Sequence, residues 1–312
     1  MAKVAFVFPG QGSQAVGMGK DLYEQFPEAR AVFDAVDDAL GEKLSSTCFN
    51  GPEDALKLTA TTQPAILTVS AAVHAVFKAR GPAPLFVAGH SLGEYSALVA
   101  AGSLDLRDAA RAVRARGTFM QEAVPADVGA MAAILGLAPD AVKAACDAAA
   151  EGEIVSPANY NSPEQTVIAG HKAAVERAGL KCKEAGAKRV MPLPVSAPFH
   201  CALMDPVKPK LAEVLAGVRI LAPRVPVVSN VEATPNSDAS RVVPLLLAQV
   251  SAPVRWIECV ETLKANGVTH VVELGPGKVL GGLIKRITKD IESFNVENAA
   301  TLEKVLAALG AA

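Results

Sequence analysis

The residues with the clearest chemical potential form the pentapeptide Gly89-His-Ser-Leu-Gly93, which matches the G-x-S-x-G nucleophile elbow. In this elbow a serine occupies a tight strand-to-helix turn, and the flanking glycines let neighbouring backbone pass close by. The apolar run Leu85–Gly89 predicts the strand, and Leu92–Ala101 predicts the helix. The pattern therefore predicts that Ser91 is a nucleophile, with the amide of the next residue directed at a developing oxyanion. An ordinary turn serine is the alternative.

A nucleophilic serine needs a base, and the sequence contains five histidines. His200 is favoured because it lies in a predicted loop, and loops on rigid scaffolds carry catalytic groups more often than element interiors do. The other histidines have plainer placements. His74 falls in an apolar helix, His90 in the elbow itself, His171 at a helix start and His270 at a strand start.

The acid of the usual serine–histidine–acid triad is missing from its expected place. In hydrolases with this elbow, the acid lies between the serine and the histidine in chain order. Here most of that interval is residues 127–197, which are predicted to form a separate inserted domain. The remaining acids lie in or beside helices: Glu94, Asp105, Asp108 and Glu122. Two alternatives stay open. Either a carboxylate comes from later in the chain, or a neutral acceptor orients the imidazole.

Two glycine-rich segments mimic nucleotide-binding loops without meeting their requirements. Gly10–Ala15 follows a predicted strand, but the acid expected about 20 residues on, at the end of a second strand, is absent. Gly275–Lys278 resembles a phosphate loop, yet Val272 and Val279 stand where that loop needs Gly and Ser or Thr. No spacing of His, Cys or Asp suggests a metal site. We therefore expect neither a metal nor a cofactor.

The composition is typical of a globular protein with a large core. The chain has 312 residues, of which 51% are apolar and 20% charged, and this length suggests about two domains. A net charge of −2 argues against bulk attraction to nucleic acid or to a membrane surface. No apolar run approaches the ~18–20 residues of a membrane span. Five scattered cysteines indicate reduced thiols and hence a cytoplasmic protein.

The predicted elements place these residues in two domains. Strands alternate with helices over most of the chain, which predicts a mostly parallel sheet with helices on both faces. Together with the elbow, this predicts a large α/β-hydrolase-like domain formed by residues 1–126 and 198–312. Residues 127–197 have the order β-α-β-β-α-β of a ferredoxin-like unit. We therefore predict an α/β protein in which a small ferredoxin-like domain is inserted into the large one.

Five motifs, in this order, carry a resemblance to a known family. They are FPGQGSQ (8–14), GHSLGEYSAL (89–98), RARGTFMQEAVP (114–125), APFH (197–200) and ELGPGKVL (273–280). Together they resemble, from end to end, the malonyl-CoA:acyl carrier protein transacylases of bacterial fatty acid synthesis. That family also has an inserted ferredoxin-like unit. The resemblance implies ping-pong transfer of a malonyl group, through a malonyl-serine, from malonyl-CoA to the phosphopantetheine thiol of acyl carrier protein.

The resemblance implies a reaction centre at four matching positions. Ser91 is similar to the serine that is acylated, and His200 is similar to its base. The backbone amides of Gln11 and Leu92 are similar to the two donors of the oxyanion hole. No prosthetic group is implied. The expected partners are malonyl-CoA and phosphopantetheinylated acyl carrier protein, with no nucleic acid and no membrane.

Three further positions match residues that bind or orient. Arg116 is similar to the arginine that grips the malonyl carboxylate, although a solvated basic helix face is its ordinary alternative. Gln249 is similar to the residue whose main-chain carbonyl orients the histidine, which would replace the missing acid. Phe199 departs from some relatives that carry a small residue there. A bulky side chain at this point favours malonyl over branched malonyl groups.

Three other functions remain compatible with the sequence. A serine acyl hydrolase or thioesterase would use the same elbow with water as the acceptor, and it would not need Arg116. A polyketide-associated acyltransferase would use the same chemistry for a different pathway. A carrier-protein-binding module with an inactive elbow is disfavoured, because Ser91 and His200 are both present.

Overall fold

The computed structural model describes residues 2–125, 127–195 and 197–310. The first predicted domain boundary touches residue 126, which lies outside the described residues, as do residues 1, 196, 311 and 312. The strands are β1 (Val4–Phe8), β2 (Phe86–Gly89), β3 (Gly129–Leu135), β4 (Val155–Ser162), β5 (Gln165–His171), β6 (Arg189–Pro192), β7 (Val227–Val228), β8 (Pro235–Asn236), β9 (His270–Leu274) and β10 (Glu292–Val296).

The helices surround two sheets, and a short 3₁₀ helix at Ala202–Met204 precedes α10. They are α1 (Lys20–Gln25), α2 (Pro27–Leu40), α3 (Leu44–Asn50), α4 (Glu53–Lys57), α5 (Thr59–Lys78), α6 (Gly93–Ala100), α7 (Leu106–Glu122), α8 (Pro139–Ala149), α9 (Lys172–Glu184), α10 (Val207–Ala216), α11 (Ala239–Gln249), α12 (Trp256–Ala265), α13 (Val279–Ile287) and α14 (Ala299–Ala308).

The larger sheet has the strand order β10-β9-β1-β2-β7-β8. All neighbours pair in parallel except β8, which runs antiparallel to β7 at the edge. The central strand β1 is apolar at every position and buried throughout, as expected for a strand covered on both faces. Its alternate residues enter two different clusters: Phe6 and Phe8 pack with α2, α5 and α7, whereas Ala5 and Val7 pack with α12 and α13. The prediction of an α/β fold with a mostly parallel sheet is confirmed.

The smaller sheet has the order β4-β5-β3-β6, and every neighbouring pair is antiparallel. One face is covered by α8 and α9, which bury a cluster around Ile134 and Ile168. The opposite face packs Met131 and Val167 against Cys201 and Phe199, which follow β6 in the chain. The small sheet is therefore pressed against the segment that carries His200.

A backbone connection fixes the small sheet to the large one. Asn159 in β4 forms a parallel bridge with Val254, just before α12. The amide of Tyr160 donates to the Val254 carbonyl at 2.9 Å, and the amide of Val254 donates to the Ala158 carbonyl at 2.9 Å. This bridge holds β4 beside the large sheet, and the cleft between them contains the elbow.

All five cysteines are free and buried. Their burial raises their pKa values, to about 12 for Cys48, for example. Within the described ranges, no helix is both long enough and apolar enough to cross a membrane.

Candidate active site

Ser91 lies in the tight turn between β2 and α6, as the elbow pattern predicts. Its φ of 53° falls in the left-handed region, which costs a non-glycine residue of the order of 1–3 kcal/mol. Both flanking glycines are needed for close approach. A Cβ on Gly89 would lie 1.9 Å from the Gly93 carbonyl, and a Cβ on Gly93 would lie 2.1 Å from the carbonyl oxygen of Phe8. The turn therefore presents Ser91 at the end of the sheet.

His200 is buried and stands directly against the serine. The Oγ of Ser91 lies 2.7 Å from His200 Nε2, and His200 Nδ1 lies 2.9 Å from the main-chain carbonyl oxygen of Gln249. A carbonyl oxygen can only accept, so Nδ1 carries the proton and Nε2 accepts the serine O–H. The orienting group is thus a neutral acceptor at the end of α11, which is the second of the two alternatives left open by the sequence.

The environment of His200 keeps its ring neutral. Burial is the main cause that lowers its pKa, and the nearby Arg116 cation lowers it further, to about 3. His200 also has a φ of 59°, so both partners of the pair are held in the left-handed region. Such strain concentrates at functional sites. A neutral, oriented imidazole is ready to take a proton from Ser91.

Arg116 is a buried guanidinium with only neutral partners. Its Nη1 donates to Gln63 Oε1 at 2.7 Å, and its Nη2 donates to Gln249 Oε1 at 2.9 Å and to Ser91 Oγ at 3.3 Å. No carboxylate of the described chain forms an ion pair with it. Burying a cation that no carboxylate contacts directly is costly, so this arginine is poised to bind an anion beside the serine.

The alternative of a solvated basic face is wrong for Arg116, although it fits the other arginines of α7. Arg107, Arg111 and Arg114 all reach outward to acidic partners. Arg116 instead turns inward, and its guanidinium lies 5.7 Å from the centre of the Tyr95 ring. Helix α7 therefore places three arginines at the surface and one in the site.

The predicted oxyanion-hole residues line the same small cavity as Ser91. Its volume is about 110 Å³, and it adjoins a second cavity of about 230 Å³. The two cavities share Gln11, His90, Asn159 and Leu193. Among described residues, no protein acceptor binds the backbone N–H of Gln11 or of Leu92. Both amides are therefore available to a ligand. The smaller cavity is lined by Gln11, Gln63, His90, Ser91, Leu92, Arg116, Met120, Met131, Asn159, Leu193, Val195, Phe199 and His200.

The structure adds residues that the sequence did not indicate. Gln63 holds Arg116 from α5, and the side chain of Gln249 holds it from α11, whereas only the main chain of Gln249 was expected to act. Asn230 is fully buried beside the elbow: its Oδ1 accepts from the Ser91 amide at 2.7 Å, and its Nδ2 donates to the Gly89 carbonyl at 2.6 Å. The one available signal was a polar residue just after β7, the strand that neighbours β2.

Removal of the Asn230 side chain should loosen the elbow. Asn230→Ala leaves the Ser91 amide and the Gly89 carbonyl buried without partners, which should destabilise the fold by about 1–3 kcal/mol for each group. The Ser91 hydroxyl should also lose its fixed direction. We expect a lower melting temperature and a several-fold slower labelling of Ser91 by an organophosphate probe. Asn266→Ala removes an exposed amide at the end of α12 and is the matched control. Equal labelling rates in both variants would contradict this role.

The two glycine-rich segments serve other purposes. Gly10–Ala15 carries Gln11 into the cavity. In Gly275–Lys278, the amide of Gly277 donates to the carboxylate of Glu297 at 3.0 Å, so a carboxylate already occupies this donor. Within the described ranges, no group of three His, Cys, Asp or Glu residues is arranged to hold a metal ion.

Comparisons with known proteins show the family of this chain. Residues 5–305 match the acyl transferase domain family. The chain is 50% identical over 307 residues to the malonyl CoA-acyl carrier protein transacylase of Escherichia coli K12, which covers 98% of this chain and 99% of that protein. The crystal structure of an acyl carrier protein S-malonyltransferase from Vibrio cholerae superimposes with a TM-score of 0.95 at 51% identity, covering 97% of this chain and 100% of that one.

A second solved structure is a malonyl-transacylase in complex with its type II PKS acyl-carrier protein. It is 48% identical, has a TM-score of 0.96, and covers 98% of this chain and 100% of that chain. Identity at this level extends over nearly the whole sequence. The chain therefore belongs to the malonyl CoA-acyl carrier protein transacylase family of acyl transferases.

Proposed function

We propose that this chain transfers the malonyl group of malonyl-CoA to the phosphopantetheine thiol of acyl carrier protein and so supplies fatty acid elongation. The observation that carries the proposal is the buried Arg116 guanidinium, which has only neutral partners and lies 3.3 Å from Ser91 Oγ. A malonyl thioester brings a carboxylate to this place, whereas simple acyl groups do not. Family membership and the named relatives support the same activity.

The first half-reaction makes a malonyl-serine. Ser91 Oγ attacks the thioester carbonyl while His200 Nε2 takes the hydroxyl proton. The amides of Gln11 and Leu92 stabilise the oxyanion of the tetrahedral intermediate. Collapse of this intermediate breaks the C–S bond, and His200 returns the proton to the sulfur of the departing CoA. The Gln249 carbonyl keeps the imidazole in the required tautomer throughout.

The second half-reaction repeats these steps with a different nucleophile. The phosphopantetheine thiol of the carrier protein gives its proton to His200 and attacks the ester carbonyl. Ser91 leaves and recovers the proton. Because CoA departs before the carrier protein reacts, the kinetics are ping-pong. Side chains and backbone amides of the chain, together with the two substrates, supply every group that these steps use, so we propose that no further cofactor takes part.

Arg116 and Phe199 select the acyl group. Arg116 would exchange its neutral amide partners for the malonyl carboxylate, which its planar fork can bind through two parallel hydrogen bonds. Phe199 is partly buried and lines the cavity, so it narrows the space around the carbon that carries a branch in substituted malonyl groups. The pocket thereby favours a small dicarboxylic acyl group.

We infer that residues 1–126 and 198–312 form an α/β-hydrolase-like domain and that residues 127–197 form a ferredoxin-like one. The antiparallel order β4-β5-β3-β6, with α8 and α9 on one face, supports the second assignment. The position of Ser91 between β2 and α6 supports the first. A cytoplasmic location stays a prediction based on the reduced cysteines.

The loss of activity at acid pH should occur far below the pKa of an ordinary histidine. kcat/KM reports groups of the free enzyme, and a solvent-exposed histidine would lose activity near pH 6.5. The pKa of His200 is lowered to about 3, so Nε2 stays unprotonated as the pH falls from 7 to 5. We expect kcat/KM for acetyl-CoA to be flat over this interval. The pKa of Glu94, which is buried nearby, is itself raised to about 7, so the Glu94→Gln variant is the control. A decline centred near pH 6.5 that persists in this variant would contradict the buried, neutral base.

Competition between acceptors tests the proposed function. Enzyme loaded with radiolabelled malonyl groups should deliver most of the label to phosphopantetheinylated acyl carrier protein and little to water. Carrier protein without the prosthetic arm is the control and should receive none. Predominant release of free malonate in the presence of the loaded acceptor would favour the acyl hydrolase alternative. Comparison of carrier proteins from fatty acid and polyketide systems would distinguish the two pathways.

A further inference from the structure

A second charged group is buried behind the reaction centre. Glu94 lies in the first turn of α6, three residues after Ser91, and its side chain is only 3% exposed. Its Oε2 accepts from the Gln249 Nε2 at 2.7 Å and from the Asn230 amide at 3.1 Å. The mechanism above gives this carboxyl no role. A buried carboxyl outside the reaction sequence requires an explanation, because burial strongly disfavours its charged form.

Gln249 connects this carboxyl to the arginine that binds the acyl group. The Gln249 amide nitrogen donates to Glu94, and its amide oxygen accepts from Arg116 Nη2 at 2.9 Å. The opposite amide orientation would place NH₂ against the guanidinium and oxygen against the carboxylate, so this orientation is favoured when Glu94 is ionised. Glu94 and Arg116 are thus opposite charges separated by one polar side chain.

The charge balance of this site changes when a malonyl group arrives. Before binding, one guanidinium and one carboxylate share the buried space. The malonyl carboxylate adds a second negative charge, and two carboxylates near one cation disfavour ionisation of one of them. We propose that Glu94 takes up a proton from solvent when a malonyl carboxylate reaches Arg116. This inference rests on the proposed function and extends it to a group that does not touch the substrate.

The other titratable groups near Glu94 are poorly placed to take up this proton. Tyr95 on α6 and Cys259 on α12 face it, and burial raises both of their pKa values, Tyr95 to about 12, so each already holds its proton. His200 would need to gain a proton from a pKa of about 3. Burial raises the pKa of Glu94 to about 7, while hydrogen bonds from Asn230 and Gln249 and the Arg116 cation oppose the rise. Among these neighbouring groups, Glu94 is therefore the one whose protonation changes near neutral pH.

The sign of the pH dependence follows. Above pH 7 Glu94 is mainly ionised in the free enzyme. Once the malonyl carboxylate pairs with Arg116, the cation stabilises the Glu94 carboxylate less, so the pKa of Glu94 rises further. Uptake should then appear at pH 8 and vanish at pH 6, where Glu94 already carries its proton in the free enzyme. Formation of the malonyl-enzyme, relative to formation of the acetyl-enzyme, should accordingly become less favourable as the pH rises above 7.

The experiment measures protons taken up during acylation in weakly buffered solution with a pH indicator. Enzyme at stoichiometric concentration reacts with malonyl-CoA or acetyl-CoA, and mass spectrometry gives the fraction acylated. Both reactions release the same CoA thiol, so its ionisation cancels in the difference. At pH 8 we expect malonyl-CoA to cause about half a proton or more of additional uptake for each acyl-enzyme. At pH 6 the difference should disappear.

Two variants identify the group. Glu94→Gln should remove the malonyl-specific uptake. Glu273→Gln is the matched control, because Glu273 is also buried and its pKa is also raised to about 7. This variant should retain the uptake, because the Glu273 carboxylate accepts from amides at the start of α13 and not from Gln249. Equal uptake for malonyl and acetyl in fully acylated wild-type enzyme would overturn the inference, as would malonyl-specific uptake that persists in Glu94→Gln. The wild-type comparison stands even if a variant does not fold. Failure of malonyl-CoA to acylate Ser91 would instead overturn the proposed function and, with it, this inference.

Discussion

Ser91→Ala is expected to abolish the malonyl-enzyme and to slow malonyl transfer by ~10⁴-fold or more, as removal of a catalytic nucleophile does in other serine enzymes. The physical reason is that the ping-pong route has no other nucleophile at the end of β2. His200 is buried and neutral, and its Nε2 faces the serine hydroxyl at 2.7 Å. Without Oγ, the imidazole has no hydroxyl to activate at that position.

The measurement is peptide mass mapping after incubation with malonyl-CoA alone, followed by a transfer assay with carrier protein. Wild-type enzyme should carry the acyl group on Ser91, and the variant should carry none. Ser96→Ala is the control, since it removes from the adjoining helix α6 a buried hydroxyl that has no hydrogen-bond partner among the described residues. It should leave acylation unchanged. An acyl group on any other residue of active enzyme would refute the nucleophile assignment.

Arg116→Ala should reduce malonyl transfer by about thirty-fold to a few thousand-fold. Loss of one member of a buried, hydrogen-bonded charge pair costs roughly 2–5 kcal/mol, and each ~1.4 kcal/mol is a factor of ten. An acetyl group has no carboxylate, so acetyl transfer should fall much less or even rise. The ratio of kcat/KM for the two donors is the decisive quantity, because it cancels any general loss of folded enzyme.

The same helix provides the control for this variant. Arg111→Ala removes an exposed arginine that pairs with Asp108 at 2.6 Å, so it should leave the ratio unchanged. Arg116→Lys tests the geometry, since a lysine retains the charge without the planar fork and should restore only part of the preference for malonyl. A proportional fall with both donors in Arg116→Ala would make Arg116 a structural residue.

Local spacing was sufficient to predict the elbow. Glycines at positions 89 and 93 permit contacts that any Cβ would block, and an apolar strand followed by a helix can be identified within a few residues of chain. Strand β1 was predictable for a similar reason, because a strand buried on both faces must be apolar throughout. The alternating order of strands and helices likewise predicted the mostly parallel sheet.

The role of Gln249 was predictable only in part. The family resemblance implied that its main-chain carbonyl orients the histidine, and the structure places that oxygen 2.9 Å from His200 Nδ1. Its side chain was not anticipated, although the amide contacts both Arg116 and Glu94. The contact of the main-chain carbonyl could be carried over from the family by matching one position of the chain. The contacts of the side-chain amide depend on which groups the fold brings within its reach.

The sequence by itself therefore determined the elbow turn around Ser91, the family and the alternation that builds the large sheet, because each of these can be identified from short stretches of chain. Only the tertiary structure decided that Arg116 turns inward, that Asn230 braces the elbow and that Glu94 and Arg116 share one amide. The partners in these contacts are far apart in sequence: Ser91 and Asn230 are separated by 139 residues, and Arg116 and Gln249 by 133. No local pattern encodes such pairs, because they form only when the packing of the whole chain brings distant helices and strand ends together.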